Sequence, residues 1–137
     1  MQDIKVFIDS NIVIYAYSFT EKDKQRISET IISQSYSVIS TQVLQEIANI
    51  LHHKFGNDYE VIKNTLIECK TAVNEMYTNI QQTILYACDI AKKYGYSFYD
   101  SLIIAAAIES GCSLLYSEDM QHNQLIERKL RIINPFL

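Results

Sequence analysis

This 137-residue chain has little cysteine or proline, with three and one residues, and no tryptophan. Cys69, Cys88 and Cys112 are odd in number and widely spaced, and no C-x-x-C pair occurs. Neither a disulfide framework nor a zinc knuckle is therefore indicated. We expect the cysteines to be core residues.

Glycine is equally rare, with three residues in the whole chain. Gly56, Gly95 and Gly111 each follow a segment of helical pattern, and we interpret all three as helix stops. None of them belongs to a G-x-G-x-x-G or Walker loop, so a loop that cradles a nucleotide is not indicated. A G-x-S-x-G nucleophile elbow is missing as well.

The chain also lacks a long apolar run and an excess of positive charge. Its longest apolar run, Leu102 to Ile108, is far shorter than the roughly 20 residues of a membrane span. Met1 to Lys5 lacks the basic start and apolar stretch of a signal peptide, so we expect a cytoplasmic protein with no membrane partner. The net charge of -4 argues against strong non-specific binding to nucleic acid, but not against a nuclease with an acidic metal pocket.

The composition that is present, 48% hydrophobic and 20% charged, is typical of one folded domain, which we place at residues 1–137. Short β-rich apolar runs predict strands at 5–8, 37–39, near 71–73, at 114–116 and at 130–133. Capping residues and apolar periodicity predict helices between them, at 10–18, 23–34, 41–55, 58–69, from about 79 to 94 and from 97 to 110. This alternation predicts an α/β fold, a central parallel sheet flanked by helices on both faces.

Four acidic residues fall where a predicted strand ends or a predicted helix begins: Asp9, Glu46, Asp100 and Asp119. Because the carboxyl ends of parallel strands share one edge of the sheet, these side chains can converge in a crevice there. Clustered carboxylates repel one another unless a hard divalent cation, usually Mg²⁺ or Mn²⁺, neutralises them. The pattern predicts a carboxylate-lined metal pocket.

Each acid also has a purely structural interpretation. Asp9 and Asp100 can each cap a helix, the second in an S-x-x-D pattern. Glu46 can be a solvated helix residue, and Asp119, like its neighbour Glu118, can be an ordinary turn acid. Their shared placement at strand ends and helix starts is what favours a common site.

Four segments, in order, resemble the motif regions of PIN-domain nucleases: Phe7-Ile-Asp9-Ser-Asn11-Ile-Val13, Gln42-Val-Leu-Gln-Glu46, Tyr99-Asp100-Ser-Leu-Ile-Ile-Ala105 and Leu115-Tyr-Ser117-Glu-Asp119-Met120. The chain is particularly similar to the VapC-type ribonuclease toxins of bacterial toxin–antitoxin pairs. The similarity extends over essentially its whole length, to the final Ile133-Asn-Pro-Phe136.

The resemblance implies a PIN-like domain that acts as a Mg²⁺- or Mn²⁺-dependent endoribonuclease, in which a set of acids holds the metal and carries catalysis, namely Asp9, Glu46, Asp100 and Asp119. It implies polar supporting roles for Asn11 and Ser117. It also implies an RNA substrate, a cognate antitoxin protein and a homodimer. The sequence leaves open whether one or two ions bind, and whether Glu118 shares the fourth ligand position.

Two other functions are open at this stage. The segment from Asp9 to Val13 is similar to the D-x-D motif of aspartyl phosphotransferases, with Asp9 as nucleophile, although Asn11 stands in place of the second aspartate. A small α/β domain with ten tyrosines could instead be a non-catalytic protein-binding module. Trapping of a phosphoenzyme would favour the phosphatase, and metal-dependent RNA cleavage would favour the nuclease.

Overall fold

Six strands and six helices make up residues 4–137, the part of the chain that the computed structural model describes. The first three residues of the predicted domain lie outside that part. The strands are β1 (Lys5–Ile8), β2 (Tyr36–Ser40), β3 (Glu75–Tyr77), β4 (Leu114–Tyr116), β5 (Leu125–Ile126) and β6 (Leu130–Ile133). The helices are α1 (Ser10–Ala16), α2 (Lys22–Gln34), α3 (Thr41–His53), α4 (Tyr59–Ala72), α5 (Gln81–Tyr94) and α6 (Phe98–Glu109).

The strands form a single sheet in the order β3-β2-β1-β4-β6-β5. All neighbouring strands are parallel except β5, which pairs antiparallel with β6 at one edge. From β1 the chain moves toward β2 and β3, and it then returns to β4 on the other side of β1. Right-handed crossovers in the two directions place helices on both faces of the sheet. The predicted α/β fold is confirmed, with one antiparallel edge strand.

Strand β1 and helix α6 are two of the most deeply buried elements of the fold. Val6, Phe7 and Ile8 are all buried, as is usual for a central parallel strand covered on both faces. Helix α6 is buried from Ser101 to Ala107, and the hydroxyl of Ser97 caps it by accepting a hydrogen bond from the backbone N–H of Asp100 at 3.2 Å. Within residues 4–137 no helix is long and apolar enough to cross a membrane.

The strand predicted near 71–73 is wrong. Helix α4 continues through Ala72, where the Thr71 hydroxyl donates to the Ile67 carbonyl at 2.8 Å, and β3 begins only at Glu75. Thr71 lies on the last turn of a helix that already buries Cys69, and Val73 is the C-cap residue in extended backbone. At Thr71, helical hydrogen bonding therefore outweighs the local preference of a β-branched residue for a strand.

Helix α5 begins at Gln81, slightly later than the predicted start at about residue 79. Its N-cap is Ile80, whose backbone N–H donates to the Thr83 hydroxyl at 3.2 Å. Its end is as predicted, because Gly95 follows the last helical residue in the left-handed conformation, with φ of 80°.

Gly95→Ala should lower the free energy of unfolding by about 1 kcal/mol, because a Cβ disfavours the left-handed conformation. Apart from the glycine and its two chain neighbours, no heavy atom of residues 4–137 lies within 4 Å of the added Cβ, so steric contact contributes nothing to the loss. Urea unfolding measures the change. Gly95→Asn is the matched control and should lose less, because asparagine tolerates this conformation. Equal losses in the two variants would contradict the backbone explanation.

Candidate active site

The predicted crevice lies at the carboxyl ends of β1 and β4, on either side of the point where the chain reverses its direction across the sheet. Ile8 and Tyr116, the last residues of these strands, are paired in register. The backbone N–H of Asp9 then donates to the Tyr116 carbonyl at 3.0 Å and extends the ladder by one residue. Open α/β sheets bind their ligands in crevices at such switch points.

Asp9 occupies this position and is almost completely buried, with 6% of its surface exposed. One carboxylate oxygen accepts from the backbone N–H of Ser10 at 2.8 Å, so the capping role is real. The other oxygen accepts from the hydroxyl of Ser117 at 2.9 Å. Burial raises the pKa of Asp9 to about 6, with help from the charges of Glu46 and Asp100, although these two hydrogen bonds lower it.

Glu46 of α3 joins Asp9 through a shared neighbour. Its Oε1 accepts from the Ser10 hydroxyl at 2.9 Å, and that hydroxyl lies 3.5 Å from Asp9 Oδ1. Its Oε2 accepts from the amide of Gln42 at 3.2 Å, and the same amide donates to the backbone carbonyl of Tyr99 at 3.0 Å. Ser10 and Gln42 were not predicted as site residues. The signal for Gln42 was its position one helical turn before Glu46.

Asp119 is exposed and lies on the other side of Asp9. Its Oδ2 accepts from the side-chain amide of Asn11 at 2.7 Å, and its backbone N–H donates to the Ser117 hydroxyl at 3.3 Å. Ser117 is fully buried and contacts both Asp9 and Asp119. The two polar residues named by the resemblance therefore connect these acids to the rest of the domain.

Asp100, in the first turn of α6, is half-buried. Burial raises its pKa, the charge of Asp119 raises it further, and a hydrogen bond with Ser97 lowers it. Unlike the other three acids, it joins the group by charge alone. Within residues 4–137, no three His, Cys, Asp or Glu side chains are already close enough to enclose one ion. The four acids surround the crevice but do not converge on one point.

None of the four acids is neutralised by a cationic side chain. The four ion pairs found within residues 4–137 involve other carboxylates. Beside Glu46, the carbonyl oxygen of Gln42 is buried without a hydrogen-bond partner in the same part of the chain. Oxygen donors with uncompensated negative charge are the set that hard cations such as Mg²⁺ prefer, so these residues fit the implied metal.

Glu118 is engaged elsewhere. Its carboxylate accepts from the hydroxyl of Tyr15 and from the ammonium of Lys24, both at 2.7 Å. Burial alone would raise the pKa of Glu118, but these two hydrogen bonds outweigh it and hold the pKa below its ordinary value. Glu118 is therefore neutralised by Lys24, whereas Asp119 contacts only the uncharged amide of Asn11 and keeps its charge available.

The fold and the acids together define an α/β domain with neighbouring carboxylates at its switch point. The model of the PIN domain matches residues 6–126, and the chain belongs to the PIN-domain family. Its resemblance to that family is thereby confirmed.

Two solved structures share the fold at low sequence identity. The toxin VapC20 of Mycobacterium tuberculosis, described as a Sarcin-Ricin loop cleaving toxin, is 13% identical with a TM-score of 0.67, covering 83% of this chain and 89% of that one. VapBC2 of Rickettsia felis, bound to a DNA fragment from its promoter, is 16% identical with a TM-score of 0.60, covering 94% and 98%. No curated protein matches the chain at a significant level.

The raised pKa of Asp9 predicts that the metal-free protein loses stability as pH rises. Between the ordinary value of 3.8 and about 6, the folded state binds more protons than the unfolded state. The shift corresponds to about 3 kcal/mol, which is present below this window and lost above it. Asp9→Asn removes the titrating group. In EDTA it should be more stable than the wild type at pH 7, with the difference shrinking toward pH 4.

Thermal and urea unfolding at a series of pH values measure this difference. Asp58→Asn is the matched control, because Asp58 is an exposed N-cap that accepts from the Val61 N–H at 2.9 Å, far from the acids in the sequence. It should follow the wild-type pH profile. If Asp9→Asn is less stable than the wild type at pH 7 in EDTA, the cap outweighs charge repulsion and the clustered-acid interpretation is wrong.

Proposed function

We propose that the protein is a metal-dependent endoribonuclease of the VapC type, the toxin of a toxin–antitoxin pair, that hydrolyses phosphodiester bonds of RNA. The observation that carries the proposal is a set of four carboxylates around one crevice, none of them paired with a cationic side chain in residues 4–137. Membership of the PIN-domain family and the likeness to toxin structures support it.

In this proposal the resident cation is Mg²⁺ or Mn²⁺, and the residues that would hold it are Asp9, Glu46, Asp100 and Asp119. When bound, such an ion lowers the pKa of a water molecule and stabilises charge on phosphoryl oxygens. No nucleophile from the protein is then required.

The chain's own residues keep the carboxylates in place. Ser10 and Gln42 each donate to one oxygen of Glu46, so its carboxylate has little rotational freedom. Ser117 holds Asp9, and Asn11 holds Asp119. Groups that fix ligands in this way change metal affinity or activity by roughly 10- to 100-fold when they are removed.

The phosphatase alternative is less well supported. Asn11, which stands in place of the second aspartate, donates to Asp119 instead. A non-catalytic binding module gives no reason for four uncompensated acids.

The substitutions Asp9→Asn, Glu46→Gln, Asp100→Asn and Asp119→Asn should each lower RNA cleavage by roughly 100-fold, because each removes a charge with little change of volume. The assay incubates a labelled structured RNA with the protein in Mg²⁺, Mn²⁺ or EDTA and maps the cut ends. Asp89→Asn on the exposed side of α5 is the control and should cleave as the wild type does.

Cleavage that persists in EDTA, or wild-type cleavage by both Asp9→Asn and Asp100→Asn, would contradict the metal site. A trapped acyl phosphate on Asp9 would favour the phosphatase instead.

We also propose a cytoplasmic homodimer with a cognate antitoxin that covers the crevice and inhibits cleavage. Large apolar side chains are exposed, among them Phe19 between α1 and α2 at 85%, and Tyr59 of α4 and Leu85 of α5 at 69% each. Apolar surface of this kind is often covered by a protein partner. The neighbour VapBC2 is itself a toxin–antitoxin assembly by name.

Light scattering on the purified chain should therefore give about twice the monomer mass of 15.8 kDa. A mass of one chain at every workable concentration would rule out the dimer.

A further inference from the structure

The segment that carries Asp119 is fixed to one face of α1 at two points. Asn11 and Tyr15 are four residues apart on α1, so their side chains lie on the same face of the helix, one turn apart. Asn11 donates to Asp119 at 2.7 Å, and the hydroxyl of Tyr15 donates to Glu118 at 2.7 Å. Two adjacent acids are thus bound to two successive turns of the same helix.

Lys24 of α2 also binds Glu118, beside Tyr15. Its ammonium donates to Glu118 at 2.7 Å and lies 4.7 Å from the ring centre of Tyr15 and 5.1 Å from that of Phe136. The two rings contact each other edge to face, with centres 5.3 Å apart. The side chains of Lys24 and Glu118 are only 32% and 25% exposed. Packing on both sides of the ammonium distinguishes this pair from a mobile surface ion pair.

We propose that Tyr15, Lys24 and Glu118 form a clamp that positions Asp119 and thereby sets the metal affinity of the crevice. The inference rests on the proposed function. Glu118 contributes as a positioning residue and not as a ligand, because the ammonium of Lys24 neutralises its carboxylate, whereas the four acids of the site have no cationic partner within residues 4–137. Without Lys24, Glu118 would keep only the Tyr15 hydroxyl as a partner, and the segment that carries Asp119 would be held less firmly. Loss of the Lys24 charge by itself would favour cation binding, so weaker binding in its absence reports the loss of positioning. With Lys24, Asp119 is the acid left available.

The chain offers a matched control in a second cluster of the same composition. Lys93 donates to Glu127 at 2.7 Å, and the hydroxyl of Tyr94 donates to the same carboxylate at 2.9 Å. Glu127 lies in the turn before the amino end of β6, whereas the crevice is at the carboxyl ends of the strands. Glu127→Gln therefore removes an ion pair of the same composition at the opposite end of the strands.

Calorimetric titration with Mn²⁺, well below the melting temperature, tests the clamp. Glu118→Gln and Lys24→Met should each raise the dissociation constant by roughly tenfold. Lys24→Arg keeps the charge and should recover most of the affinity. Glu127→Gln should bind Mn²⁺ as the wild type does. An unchanged affinity in Glu118→Gln and Lys24→Met overturns the proposal, even if both variants melt at lower temperature.

A readout without metal separates the clamp from the proposed function. In ¹⁵N NMR spectra of the EDTA-treated protein, the side-chain amide of Asn11 reports its hydrogen bond to Asp119. Its resonance should move in Glu118→Gln and Lys24→Met and stay in place in Glu127→Gln. If the wild type binds no Mn²⁺, the proposed metal site is wrong, and this resonance still decides whether the clamp positions Asp119. A resonance that does not move overturns the clamp.

Discussion

The charge of Asp9, buried between the two central strands, is the constraint on which the arrangement of the crevice depends. Removing a carboxylate from water is costly unless donors or a cation compensate it. Two hydrogen bonds supply part of that compensation, from the Ser10 backbone and the Ser117 hydroxyl. The neighbouring charges of Glu46 and Asp100 act in the opposite direction. Left to itself the domain is electrostatically frustrated here, and such local conflicts are characteristic of functional sites.

Strand register and helix packing place the other site residues around Asp9. The register that pairs Ile8 with Tyr116 brings the residues after both strands side by side, so Ser117 can reach Asp9. The apolar helix α6 is buried for most of its length, which leaves its first turn at the rim of the crevice. Because packed cores deform little, the distances between the acids are set by core packing as much as by the polar contacts themselves.

Local signals accounted for the elements nearest the crevice. The bounds of β1, β4 and β6 follow from short apolar runs, and the start of α6 follows from its serine cap. Strand β5 escaped prediction because it has two residues and depends on pairing with β6. Its turn places Glu127 and Arg128 in the left-handed conformation, without the glycine that would signal a hairpin. The neighbourhood of the acids at one end of the sheet followed from strand order, although they do not converge on one point. The pairing of Lys24 with Glu118 joins residues 94 apart and has no local signal.

The central position of β1 also affects the order in which parts of the fold form. Strand β1 is synthesised before both of its neighbours, β2 and β4, so its pairing is complete only after β4 has been made. The contact between Ser117 and Asp9 likewise spans 108 residues. Long-range pairings of this kind form late, after the loop between them has been closed at an entropic cost. During synthesis the crevice therefore stays open and incomplete until the segment that follows β4 has left the ribosome. A chain that ends before this segment lacks the Ser117 hydroxyl that holds Asp9.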